Sequence, residues 1–191
     1  SHLTAHLCND MVVDADGSAW VGNFGFDLDA ELRVRGADVI SDHPSTNLVR
    51  IDADGTVYLA ADDMHFPNGS VITPDGRTLI VAETLASCLT AFTINADKSL
   101  SDRRVWATVE SVAPDGICLN DNNEIWVANA LGPEVILVAE EGEVINRIET
   151  SQPCYACMLG GIDGKTLFAV TASSSDGVLA AAKKTGKIET V

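Results

Sequence analysis

Oxygen-bearing side chains recur in this sequence at one repeated address. Counting eight residues back from the turn residues Gly17, Gly76, Asn123 and Gly164 reaches Asn9, Asn68, Asp115 and Ala156. Three of the four positions carry an amide or a carboxylate, and Asp10, Gly69 and Gly116 follow them directly. Amide and carboxylate oxygens facing one point suit a hard divalent cation such as Ca²⁺ or Mg²⁺. No His or thiolate joins the set, which weakens a Zn²⁺ reading although carboxylate sites accept that ion. Taken singly, an Asn-Gly or Asp-Gly pair is loop punctuation; recurrence in phase is what argues for a site. The Asp-x-Asp-Gly turns at Asp14 and Asp52 lack the spacing and distal Glu of a helix–loop–helix calcium loop, and read as hairpin turns.

The elements that must carry these residues are short strands. Four segments share an apolar run, an Asp/Gly/Asn turn and a second apolar run, over 10–22, 70–82, 117–128 and 157–170. A second hairpin follows each. Leu48 to Leu59 turns at Asp52-Ala53-Asp54-Gly55, and Cys88 to Ala107 at Asn95-Ala96-Asp97. Glu134 to Ile148 turns at Glu140-Glu141-Gly142, and Val178 to Val191 at Lys184-Thr185-Gly186. No stretch shows convincing helical periodicity, so each unit reads as four antiparallel strands. Repeats of this length and content are propeller blades, placed at about 9–60, 68–107, 115–148 and 155–191 of one all-β domain. The insertion between Asn23 and Asn47 reads as a long loop over one end. In a propeller the first strand of every blade lines the central channel, which brings Asn9, Asn68 and Asp115 together. Trp20, Trp106 and Trp126 are expected to pack between blades.

Composition narrows the functions. The chain has 191 residues, 46% of them hydrophobic, and a net charge of −16. Such acidity argues against nucleic acid and anionic membrane surfaces as partners, because both demand clustered cations. No run is long enough to span a membrane. Five Cys residues are an odd number in a domain too large to need staples, which points to reduced thiols in the cytoplasm. Cys154-x-x-Cys157 has neither a second Cys pair nor a βαβ setting, so inert thiols are favoured over a redox or zinc pair. His65 precedes Phe66-Pro67-Asn68 and reads as a hydrogen-bonded loop residue, while Asp62, Asp63, Asn23 and Asn129 fall at blade ends where they could shape the mouth. Neither a phosphate-binding Gly loop nor a Gly-x-Ser-x-Gly elbow is present.

At these residues the chain resembles the gluconolactonase/regucalcin family, which includes senescence-marker-protein and luciferin-regenerating-enzyme relatives. The resemblance is carried by Asn9-Asp10-Met11-Val12-Val13-Asp14, by Trp20 to Asp27, by Phe66-Pro67-Asn68-Gly69 through Thr84, by Pro114-Asp115-Gly116-Ile117-Cys118 with Trp126-Val127-Ala128-Asn129, and by Cys154 to Gly161. It implies a six-bladed propeller holding one divalent metal, most simply Ca²⁺, with Zn²⁺, Mg²⁺ or Mn²⁺ as alternatives. It further implies metal ligation by Asn68 and Asp115, a general-base role for Asp115, and contact of Asn9 with a small lactone or a metal-bound water. The family's early Glu ligand has no counterpart here, as though about a third of a six-bladed protein preceded Ser1. Leu7 stands where animal members carry a substrate-contacting Arg. Three expectations follow: a metal-dependent lactone hydrolase, a calcium-binding or scaffold propeller without catalysis, and an inactive piece of the hydrolase.

Overall fold

A computed structural model describes residues 3–191. Four antiparallel sheets follow one another along the chain. The first holds β1 (Cys8–Val13), β2 (Ala19–Asn23), β3 (Thr46–Ile51) and β4 (Val57–Met64). The second holds β5 (Pro67–Ile72), β6 (Thr78–Glu83), β7 (Cys88–Ile94) and β8 (Leu100–Thr108). The third holds β9 (Pro114–Leu119), β10 (Ile125–Asn129), β11 (Glu134–Val138) and β12 (Val144–Glu149). The fourth has three strands, β13 (Cys154–Gly160), β14 (Thr166–Thr171) and β15 (Lys187–Thr190). Within each sheet the strands run in chain order from the inside out, the meander of a propeller blade.

Strand alternation explains why the blades stack. On β6, Leu79 and Val81 face the first blade, where Trp20, Leu48 and Met64 meet them. Ile80 and Ala82 point the other way, into a cluster with Ile117, Ile125 and Val127 of the third blade. Both faces of this strand are therefore apolar, as a sheet buried on two sides requires. Trp106 fills the second interface and Trp126 the third, where Cys118, Leu137, Cys157 and Leu167 gather. The three tryptophans do pack between blades. The outward faces of the end blades stay apolar and exposed, with Met11, Val13 and Leu59 on the first and Met158, Val170 and Ile188 on the fourth.

Two local expectations are corrected. The run Val178 to Ala182, read as a strand, is the helix α3 (Gly177–Lys183), which the side chain of Asp176 caps by accepting from the Val178 and Leu179 backbone N–H groups. It leaves β15 to pair directly with β14. The insertion read as a long loop contains α1 (Leu28–Arg35) and α2 (Asp38–Ser41). Asp27 caps α1, with acidic residues in its first turn and arginines in its last, matching the helix dipole. Among the described residues no helix is long and apolar enough to cross a membrane.

Candidate functional site

The same irregularity occurs in the innermost strand of every blade. In the first, Cys8 pairs with Asn23 and Met11 with Val21, so three steps on β1 oppose two on β2. Pro67 and Ser70 repeat this against Glu83 and Val81, and Pro114 and Ile117 against Asn129 and Val127. Cys154 and Cys157 repeat it against Thr171 and Ala169. A one-residue bulge of this kind bends the strand and re-aims a side chain. The bulged positions are Asn9, Asn68, Asp115 and, in the fourth blade, Tyr155. Ala156 was the expected member; its strand carries one more residue between bulge and turn glycine than the others do, so Tyr155 takes the equivalent place.

Adjacent inner strands touch backbone to backbone at the bulges. A Cβ on Gly69 would stand 2.4 Å from the Asp115 carbonyl oxygen, and one on Gly116 would stand 2.7 Å from the Ala156 Cα. Glycine is what permits this approach, and the approach sets Asn68 beside Asp115 and Asp115 beside Tyr155. Asn9 joins the same line by donating from Nδ2 to the Pro67 carbonyl at 3.3 Å.

Asn68 is buried and its amide is oriented. Its Nδ2 donates to Thr84 Oγ1 at 3.1 Å, and Thr84 in turn donates to the Pro114 carbonyl at 2.7 Å. This chain leaves Asn68 Oδ1 buried with no hydrogen-bond partner, a costly arrangement unless something is held there. Burial pushes the Asp115 carboxyl up to about 7, and the nearby charge of Asp10 adds to the effect; the Asn68 amide and the Gly116 N–H pull the other way. Partial burial of its carboxyl also raises Asp10, although the residue as a whole is exposed. A bare amide oxygen beside a carboxyl that has no cationic partner fits a hard cation. Among the described residues no group of three or more His, Cys, Asp or Glu gathers that could hold a metal ion.

The remaining candidates serve the framework. Asn23 accepts from Gly25 N–H and Thr46 Oγ1 and donates to the Asn47 carbonyl, while Asn129 accepts from Ala113 and Leu131 N–H and donates to Glu134. Both are buried and held by bonds inside their own blades rather than lining a mouth. The carbonyls of Asp62 and Asp63 accept from Arg103. His65 Nδ1 lies 3.0 Å from His43 Nε2, next to a group of rings formed by Phe24, Phe26 and Phe66. All five thiols are free. Cys154 is raised to about 11, chiefly by burial, and Cys157 sits 4.0 Å from Cys118 with carbonyls of Gly116 and Trp126 as acceptors, so the Cys154/Cys157 spacing marks buried thiols. A cleft of about 460 Å³ opens at the opposite end of the second and third blades, between Asp75 and Asn123, away from the bulges.

Tyr155 and Thr84 are the residues that the repeat count did not reach. Thr84 lies just past β6, outside the repeat, and nothing in its spacing marks it. Tyr155 was within reach had the strand starts, instead of the turn glycines, served as ruler.

Comparison with known proteins agrees with this architecture. Residues 3–173 match the model of the SMP-30/Gluconolactonase/LRE-like region. Regucalcin of Danio rerio is 25% identical over 169 residues, covering 86% of this chain and 54% of its own length. Pentonolactonase of Haloferax volcanii is 25% identical over 173 residues, covering 88% and 54%. The chain thus spans about half the length of the curated relatives it matches. Among solved structures, a gluconolactonase from Xanthomonas campestris superposes with a TM-score of 0.68 at 28% identity, covering 87% of this chain and 54% of that one. A luciferin-regenerating enzyme gives 0.76 at 20% identity, covering 89% and 55%, which speaks for the fold. With the family model matched over most of its length, and the bulged propeller strands to carry the match, this chain belongs to the SMP-30/gluconolactonase/LRE-like family.

Proposed function

We propose that this protein hydrolyses a small lactone, of the sugar-acid kind that the names of its relatives indicate, with Asp115 as general base and with one divalent cation, most simply Ca²⁺, held by Asn68 and Asp115. The observation that carries the reading is the unpaired, buried Asn68 Oδ1 beside a carboxyl poised near neutrality. A bound divalent cation supplies charge to polarise the carbonyl oxygen and to acidify water. The chain's own part is positional and protolytic. Asn9, anchored on the Pro67 carbonyl, borders the place where the lactone binds. Asp115 takes a proton from the attacking water as the new C–O bond forms, and returns it when the ring C–O bond breaks and the alkoxide leaves. General-base help of this kind is typically worth about 10²–10⁴-fold. Free, unbridged thiols accord with cytoplasmic residence.

The test is proton release from γ- and δ-lactones in weakly buffered solution. Activity is expected to fall at least a hundredfold in Asp115→Ala and in Asn68→Leu, and to be lost on chelation and restored by a divalent salt. Undiminished turnover by Asp115→Ala would overturn the reading. Cation-dependent stabilisation without turnover of any lactone would leave a binding propeller instead.

A further inference from the structure

The fourth blade contributes a residue that the mechanism above does not use. Tyr155 occupies the bulge equivalent to Asn9, Asn68 and Asp115. Its phenol is hydrogen-bonded to Ser175 and lies close enough to Asp115 to feel its charge. Ser175 is no ordinary loop residue. It lies in the 172–186 connection, which leaves the ring end of the fourth blade after β14, and its neighbour Asp176 meets Arg33 at 2.7 Å. Arg33 belongs to α1, in the connection that leaves the ring end of the first blade after β2. The two connections therefore join first blade to last at the end of the propeller where the bulges lie, and the residue that fixes the Tyr155 hydroxyl is part of that junction.

We propose that Tyr155 is a specificity-determining residue whose hydroxyl, oriented by Ser175, binds a hydroxyl substituent of the lactone across the ring from Asn9. The proposal rests on the lactone-hydrolase reading. What it adds is the partner: a plain hydrocarbon ring would leave the phenol unpaired, whereas a ring hydroxyl would engage it.

The experiment compares glucono-δ-lactone with δ-valerolactone, which has the same ring without hydroxyls, in wild type, Tyr155→Phe and Ser175→Ala. The ratio of kcat/KM for the two substrates is expected to fall about threefold to tenfold in Tyr155→Phe, the range for one lost hydrogen bond, with the loss in KM for the hydroxylated lactone. Ser175→Ala is expected to lower the ratio by a smaller factor. An equal loss on both substrates marks a merely structural tyrosine and overturns the proposal, as does an unchanged ratio. Calorimetric binding of the matching hydroxylated and plain δ-lactams separates this idea from the hydrolase reading. If wild type turns over neither lactone but Tyr155→Phe still loses selectivity between the lactams, hydrolysis is wrong and the assignment of Tyr155 stands. Equal lactam selectivity in the two proteins, or no lactam binding by either, overturns the assignment.

Discussion

Replacing Asp115 by Asn should make the cation-free protein more stable, and by an amount that depends on pH in a defined way. In the folded chain the carboxyl titrates at about 7 instead of 3.8, because burial and the charge of Asp10 oppose its ionisation. Below pH 3.8 the group is protonated in both folded and unfolded protein and contributes nothing. Between 3.8 and 7 the folded state holds the proton that the unfolded state has released, so stability declines as pH rises, and above 7 the loss is constant. A displacement from 3.8 to about 7 corresponds to about 4 kcal/mol. Asn keeps the shape and removes the titration, so at pH 8 Asp115→Asn is expected to melt roughly 10 °C above wild type for a chain of this size. At pH 4 the two should nearly coincide. The assay is calorimetric or fluorescence melting of both proteins from pH 4 to 8 in chelator, then with millimolar Ca²⁺, which should recover wild type and barely move the variant. Parallel pH curves for the two proteins would refute the argument, because the acidic turns elsewhere are common to both and cancel in the difference.

Three further outcomes follow from the framework. Arg50 is buried, lies 4.3 Å above the Tyr58 ring, meets Asp52 at 2.8 Å and donates to the Lys98 carbonyl of the next blade. Arg50→Ala should cost about 3–5 kcal/mol in denaturant unfolding, and Arg50→Lys should not restore it, since the planar fork and the stack are both lost. Gly69→Ala forces a methyl against the Asp115 carbonyl and should cost about 1–3 kcal/mol while lowering lactone turnover, measured by urea melting and by the proton-release assay. With a chromogenic disulfide reagent, the exposed Cys8 should react promptly in the native protein, whereas Cys118, Cys154 and Cys157 should react only on unfolding, because burial shields all three from the reagent and, at Cys154, also makes the thiol hard to ionise.

What was legible in the sequence was what repeats. Turn residues and paired apolar runs placed nearly every strand, and the phase of Asn9, Asn68 and Asp115 against the turns located three of the four bulges. Legibility failed where the repeat slipped or was interrupted. One additional residue ahead of Gly164 moved the count from Tyr155 to Ala156. Val178 to Ala182 is a short apolar run, which periodicity alone cannot assign to strand or helix; the capping carboxylate of Asp176 decided it. The helix α1 does leave a mark, an Asp cap with acids in the first turn and arginines in the last, but it has no apolar face to give it a helical period. The orientation of Asn68 depends on Thr84, a contact made between two blades, and no local pattern encodes it.

The recurring bulge also bears on how such a site changes over time. Each kink is made by main chain against main chain, so the geometry survives whatever side chain sits at its tip, and amide, carboxylate and phenol already share its four versions in a single molecule. Each blade thus offers an interchangeable socket. New selectivity can be gained by exchanging one tip residue, with the scaffold left alone.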